Sequence, residues 1–190
     1  NVKDGVIDID GAAEAGTEGS VEVLEGVTGD AGAALSTRSV LAIIINTTDA
    51  SPNCSPSTVE GILFNDAGNN MADAFISASH GNVTFAGDVT GPYTVPYLAT
   101  DSRYTLGNAA QTMAADAGFD VSSYDHVINI IPKDPNNNYA GYGQYNSSQT
   151  WVYNCTTRDI YEHEIGHNLN LGHANRNGTV YNDRGSFMGY

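Results

Sequence analysis

The chain has 190 residues and a mass of 20.0 kDa, enough for one domain with a substantial core. Its 22 acidic residues against 7 Lys plus Arg give a net charge of −15, which argues against nucleic acid or an anionic membrane as a partner. No run of about 18 apolar residues is present, so no membrane span is expected; the chain is expected to be a monomer.

The sequence begins at Asn1 with neither Met nor leader, as expected of a processed form whose export signal has been removed. Secretion suits the acidity, which keeps an extracellular protein soluble; calcium binding or a salty medium is the other account of it. The two cysteines, Cys54 and Cys155, are expected to form a disulfide in an oxidising compartment. A free pair, or a cysteine capping a metal in a latent form, is the alternative. Asn-x-Ser/Thr sequons at Asn46, Asn53, Asn82, Asn146, Asn154 and Asn177 matter only in a glycosylating host.

Residues 1–38 are rich in Gly, Ala, Asp and Glu and read as an N-terminal lead-in or propeptide remnant, with weak strands at 6–9 and 21–24. Residues 39–190 read as the main domain. Residues 39–46 are a continuous β-branched apolar run, the pattern of a buried central strand. After a loop around Cys54, residues 57–80 carry helical spacing through Met71, Ala74, Phe75 and Ala78, closed by Gly81. Residues 82–89 alternate as a strand that Gly91-Pro92 breaks, and a further short strand is expected over 93–98. A helix over 107–117, with Ala110, Met113, Ala114 and Ala117 inward, stops at Gly118. Residues 125–132 form the next buried strand; His126, which opens it, reads as structural. Asp134–Asn138 is a turn whose oxygens offer a calcium site as the alternative reading. Residues 139–145 read as an edge strand able to accept an extended peptide, and 149–153 as the strand after it. Thr156 or Thr157 is placed to cap the helix that follows.

That helix carries His163-Glu164-Ile165-Gly166-His167. Histidines four residues apart fall about 40° apart around a helix, one turn above the other, so both can reach one zinc ion. Glu164 lies on the next face, placed to touch a reacting water. If the helix continued, His173 would be rotated by about 240° and lie about 9 Å further along the axis. The chain must therefore turn back, and Asn170 stands where the turn is needed, since Asn tolerates the left-handed conformation that ends helices. Gly172 offers further freedom just before His173.

The stretch from His163 to His173 resembles the long zinc motif of the metzincin proteases, with Asn170 in place of the usual Gly. Residues 183–190 resemble the Met turn of the same proteases, with Met188 as an apolar floor beneath the histidines. Tyr190, two residues on, matches a tyrosine that lies near the zinc in several of them. More narrowly the chain resembles the gametolysin family, through Val40–Asn46, Val59–Ala67, Gly87–Tyr93, Tyr124–Pro132 and His163–Asn175.

The resemblance implies an α/β (α+β) catalytic domain with a mixed twisted sheet, an edge strand over the cleft, a zinc-binding active-site helix and a Met turn. It implies a secreted zinc endopeptidase acting on proteins or peptides bound as an extended strand. Zn2+ would be held by His163, His167 and His173, and Glu164 would act as general base, with the Tyr190 hydroxyl beside the developing oxyanion. Calcium is the second expected ion. Metzincins carry a further helix after the Met turn, so a truncated lower subdomain is expected here. The alternative is a catalytically impaired zinc-containing binding or adhesion module of the same fold; Glu164 speaks against it, because a structural site has no use for that carboxylate. Tyr161 and Glu162 need no catalytic role.

Overall fold

The structure, a computed structural model, describes residues 35–183 and 185–189, together with Val2–Lys3 and Val6–Ile7. Contacts divide the chain into two units, residues 1–31 and 32–190. In the first, β1 (Val2–Lys3) and β2 (Val6–Ile7) pair antiparallel, Val2 opposite Ile7 and Lys3 opposite Val6. The strand expected at 21–24 lies outside the described residues.

The second unit is built on β3 (Ser36–Asn46), whose residues Val40 to Ile45 are all fully buried. An unbroken apolar run has this outcome only where both faces of a sheet are covered. Val40, Ala42 and Ile44 enter one core, with Met71, Phe75, Ile128, Val152, Tyr161 and Ile165. Leu41, Ile43 and Ile45 enter the other, with Leu106, Ala110, Val127 and Trp151. The sheet has the order β4-β3-β5-β7-β6, with β4 (Val83–Thr94), β5 (His126–Ile131), β6 (Gly141–Gly143) and β7 (Gln149–Tyr153). All neighbours run parallel except β6 and β7. An α/β arrangement with a mixed sheet is therefore observed.

Helices α1 (Pro56–Glu60), α2 (Met71–Ala78) and α4 (Arg158–Asn168) cover the first core, and α3 (Arg103–Asp116) the second. The single helical stretch expected over 57–80 is broken. A π-helical turn, Gly61–Asn65, follows α1, and Asn70 then caps α2 by accepting from the Asp73 amide at 2.8 Å. Two strong N-cap residues, Ser55 and Asn70, thus start two helices where periodicity suggested one. Strand β4 likewise runs through Gly91-Pro92 instead of stopping there. The sheet absorbs the extra residue as a register shift between Ile43 and Ile45, and no separate strand forms at 93–98. α3 begins at Arg103, four residues before the expected start, and ends where Gly118 takes φ +101°.

Cys54 and Cys155 are bonded, their Cα atoms 5.1 Å apart, across 101 residues of sequence. The bridge ties the segment after β3 to the entry of α4. Thr157 occupies the N-cap position of α4, but its side chain makes no capping bond; Asp159 in the first turn faces the positive end of the helix dipole instead. Among the described residues, no helix is long and apolar enough to cross a membrane.

Candidate metal centre

Residues Ile160 to Asn168 of α4 are all buried, so the two helical histidines are displayed from a fully packed element. The Nδ1 of His163 lies 2.9 Å from the Phe187 carbonyl, and that of His167 lies 2.9 Å from the Leu171 carbonyl. A carbonyl can only accept, so each Nδ1 donates, and in the neutral ring Nε2 is then the nitrogen that keeps its lone pair. Burial holds both His163 and His173 below the usual imidazole range, which favours the neutral, ligating form.

The return of His173 depends on the end of α4. Asn170 takes φ +64°. The Leu171 amide donates to the Gly166 carbonyl at 2.9 Å, and the Asn170 amide to the His167 carbonyl at 2.9 Å. This is the paired bonding of a Schellman motif, with Asn170 in the left-handed position usually held by Gly. The turn expected at Asn170 is thus observed. Gly172 has no positive φ and open space around it, so the freedom expected there is not used.

The turn brings the three histidines together. Ligand nitrogens of His163, His167 and His173 all lie within 4.8 Å of one another, and the two Nε2 atoms of His167 and His173 are 3.1 Å apart. Four ligands held tetrahedrally at 2.0–2.1 Å are roughly 3.3 Å apart, so this neutral all-nitrogen set fits a zinc ion in size and chemistry.

Glu164 and the triad line one cleft of about 650 Å3. Burial pushes the Glu164 carboxyl up to about 7, although the Gly143 amide donates to its Oε2 at 2.5 Å and opposes the shift. The edge strand comes this close because two of its three residues are glycine. A Cβ on Gly143 would sit 2.0 Å from the Glu164 carbonyl oxygen, and one on Gly141 would sit 2.6 Å from Glu164 Cγ. Gly166 serves the same purpose on the opposite side of α4: a Cβ there would meet the Met188 sulfur at 2.3 Å. Met188 is buried beneath the helix, and its carbonyl accepts from the Ala174 amide at 2.7 Å.

The corner between α4 and the β6–β7 connection is held by Asn168. Its Nδ2 donates to the Gln144 and Gln149 carbonyls at 2.9 Å each, and its Oδ1 accepts from Thr150 Oγ1 at 2.9 Å. His126 Nδ1 approaches the same oxygen at 3.3 Å, and the His126 ring packs on Phe85, so the structural role read for His126 is observed. Glu162 pairs with Arg158 at 2.7 Å rather than facing the cleft.

Sequence reasoning missed Tyr181. Its hydroxyl lies 2.8 Å from His173 Nε2, and its ring centroid 4.0 Å from that of His173. A hairpin delivers it: β8 (Asn175–Arg176) pairs antiparallel with β9 (Thr179–Val180) around Asn177-Gly178, both at positive φ. Asn-Gly between short strands is a strong hairpin signal and was available in the sequence. Tyr145, whose ring lies 4.6 Å from that of His167, was also unassigned. Tyr190 lies outside the described residues.

Residues 38–190 match the family described as gametolysin peptidase M11. The chain belongs to that family. The gametolysin match covers the triad, Met188 and all of the sheet but the first two residues of β3, so the geometry above belongs to a peptidase-family domain. No curated protein matches the chain. Among solved structures, one titled "Structure of a chaperone-substrate complex" aligns at 18% identity and a TM-score of 0.42, over 75% of this chain and 25% of its own length. A likeness of that size carries no argument about function.

Proposed function

We propose that this gametolysin-family domain is a secreted zinc endopeptidase of metzincin type, with α4 as its zinc-binding helix, Met188 in its Met turn and Glu164 as general base. The observation that carries the reading is the convergence of three imidazoles beside a buried carboxyl whose pKa burial raises to about 7. A group with that property is matched to proton transfer at physiological pH.

His163, His167 and His173 would hold the ion, with the first two locked in orientation by backbone carbonyls. Zinc bound there would supply Lewis acidity, polarising a carbonyl and bringing the pKa of water to about 7. Glu164 takes a proton from the attacking water and returns it to the amine nitrogen that leaves. The Gly143 amide, donating to Glu164 Oε2, leaves Oε1 as the oxygen that receives the proton. Tyr181 places a hydroxyl at the cleft wall, where it can donate to the developing oxyanion. A protein substrate lies along β6, whose outer edge accepts an extended strand.

The test is Glu164→Gln. Metal content by elemental analysis should equal that of the parent, and casein hydrolysis should fall at least ~100-fold, the low end for loss of a general base. Hydrolysis at the parental rate would remove Glu164 from the mechanism. Hydrolysis that survives exhaustive chelation would remove the metal.

A further inference from the structure

Arg103 lines the same cleft as the three histidines, yet no step of peptide hydrolysis needs it. It is the first residue of α3, and its guanidinium carbon lies 3.8 Å over the Tyr142 ring, 4.9 Å over Tyr104 and 5.8 Å over Trp151. Contact with the Tyr142 ring braces the fork, and the Tyr104 and Tyr153 hydroxyls lie near it.

Among the described residues, no carboxylate pairs with that fork. The chain has 22 acidic residues, but among the described residues the ion pairs of 4 Å or less are Arg38 with Asp125 and Arg158 with Glu162. Asp101 and Asp134 line an adjoining cavity with Arg103 and still do not pair with it. Arg103 Nε is buried without a hydrogen-bond partner. Ser102, the N-cap of α3, makes no side-chain cap, so the positive end of the helix dipole adds to the same spot.

The geometry of β6 says what would arrive there. Gly141 and Gly143 turn towards α4 and Glu164, whereas Tyr142 between them turns to the opposite face and carries Arg103. A strand added along β6 alternates in the same way, so every second substrate side chain points to the Arg103 face.

We propose that Arg103, braced on Tyr142, is a specificity subsite that selects an aspartate or glutamate side chain of the peptide substrate. The proposal rests on the reading of the cleft as an endopeptidase site, and it adds a substrate class to that reading. A planar fork meeting a carboxylate forms two parallel charge-assisted bonds, which a neutral amide cannot replace.

The test is a set of fluorogenic peptides, acetylated and amidated so that the one carboxylate is the one placed, with Glu, Gln or Lys walked through each position around the scissile bond. The parent should cleave the Glu peptide about 10- to 100-fold better than its Gln twin at one position or at positions two apart, with Lys worst, as hydrogen bonds to charged groups imply. The ratio should shrink as salt rises. In Arg103→Gln the Glu/Gln ratio should fall to about one, and in Arg103→Glu the preference should move to Lys. Ratios within one variant do not depend on how much of it is folded. Equal cleavage of Glu, Gln and Lys peptides by the parent, or an unchanged ratio in Arg103→Gln, would overturn the subsite. Binding of the same peptides to Glu164→Gln, read by fluorescence anisotropy, separates the two readings. A Glu preference in binding without cleavage by the parent keeps the subsite and removes the endopeptidase. No binding, or equal binding, removes the subsite.

Discussion

The triad has a helix half and a loop half, built on different terms. His163 and His167 stand on a buried helix at 4% and 5% exposure, each with its Nδ1 committed to a backbone carbonyl. His173 is half-buried on an irregular segment that returns through one left-handed residue, and its ring rests against Tyr181. The helix half is therefore pre-positioned by packing, while the loop half is positioned by a single turn and by its neighbours.

If that contrast is right, damage should be graded by half. Removing the disulfide by Cys54→Ser with Cys155→Ser frees the entry of α4, and should cost about 2–5 kcal/mol in urea unfolding. Gly143→Ala should come next: its Cβ cannot fit 2.0 Å from the Glu164 carbonyl, so β6 or α4 must shift, at about 1–3 kcal/mol. A displacement of about 1 Å there should also lower kcat/KM by about 100-fold. Asn170→Ala, at the joint between the halves, should cost about 1 kcal/mol, read as a Tm lower by a few degrees, whereas Asn170→Gly should be neutral or stabilising. Gly172→Ala, in open space in the loop half, should change stability by less than about 0.5 kcal/mol. Equal effects of Gly143→Ala and Gly172→Ala would erase the contrast.

The smallest effect concerns pH at His126 of β5, which packs beneath the helix half through Asn168. Burial holds His126 below its ordinary 6.5, with Asn168, Asp125 and Arg38 as its polar neighbours. Its unfolded form therefore takes up a proton first as pH falls. The stability it confers is complete above pH 6.5 and is lost on acidification through the lowered folded value. His126→Phe should flatten the decline of Tm below pH 6.5; an unchanged slope would show that His126 does not titrate on unfolding.

Legibility in the sequence followed how local each determinant was. His163, Glu164 and His167 were readable because four residues on a helix fix a direction, and Asn170 because few residues turn that way. The central strand was readable from its unbroken apolar run. Other features needed neighbours distant in sequence. Nothing near Gly141 and Gly143 says that a helix 21 residues on will press against them. Arg103 joins the cleft only after the sheet has assembled, whereas Tyr181 was signalled locally by Asn177-Gly178. The broken helix at 57–80 and the strand running through Gly91-Pro92 were misread for another reason: Asn70 as a cap and a register shift in the sheet outweighed periodicity.

The four-way grip of Asn168 also decides how the cleft can change width. It welds α4 to the β6–β7 connection, so the upper wall and the helix floor travel as one body. The opposite wall, which carries His173 and Tyr181, is held to the same helix by the His163–Phe187 bond and by Met188 against Gly166. Both walls are thus tied to α4, so the width of the gap between them is set by their bonds to that helix.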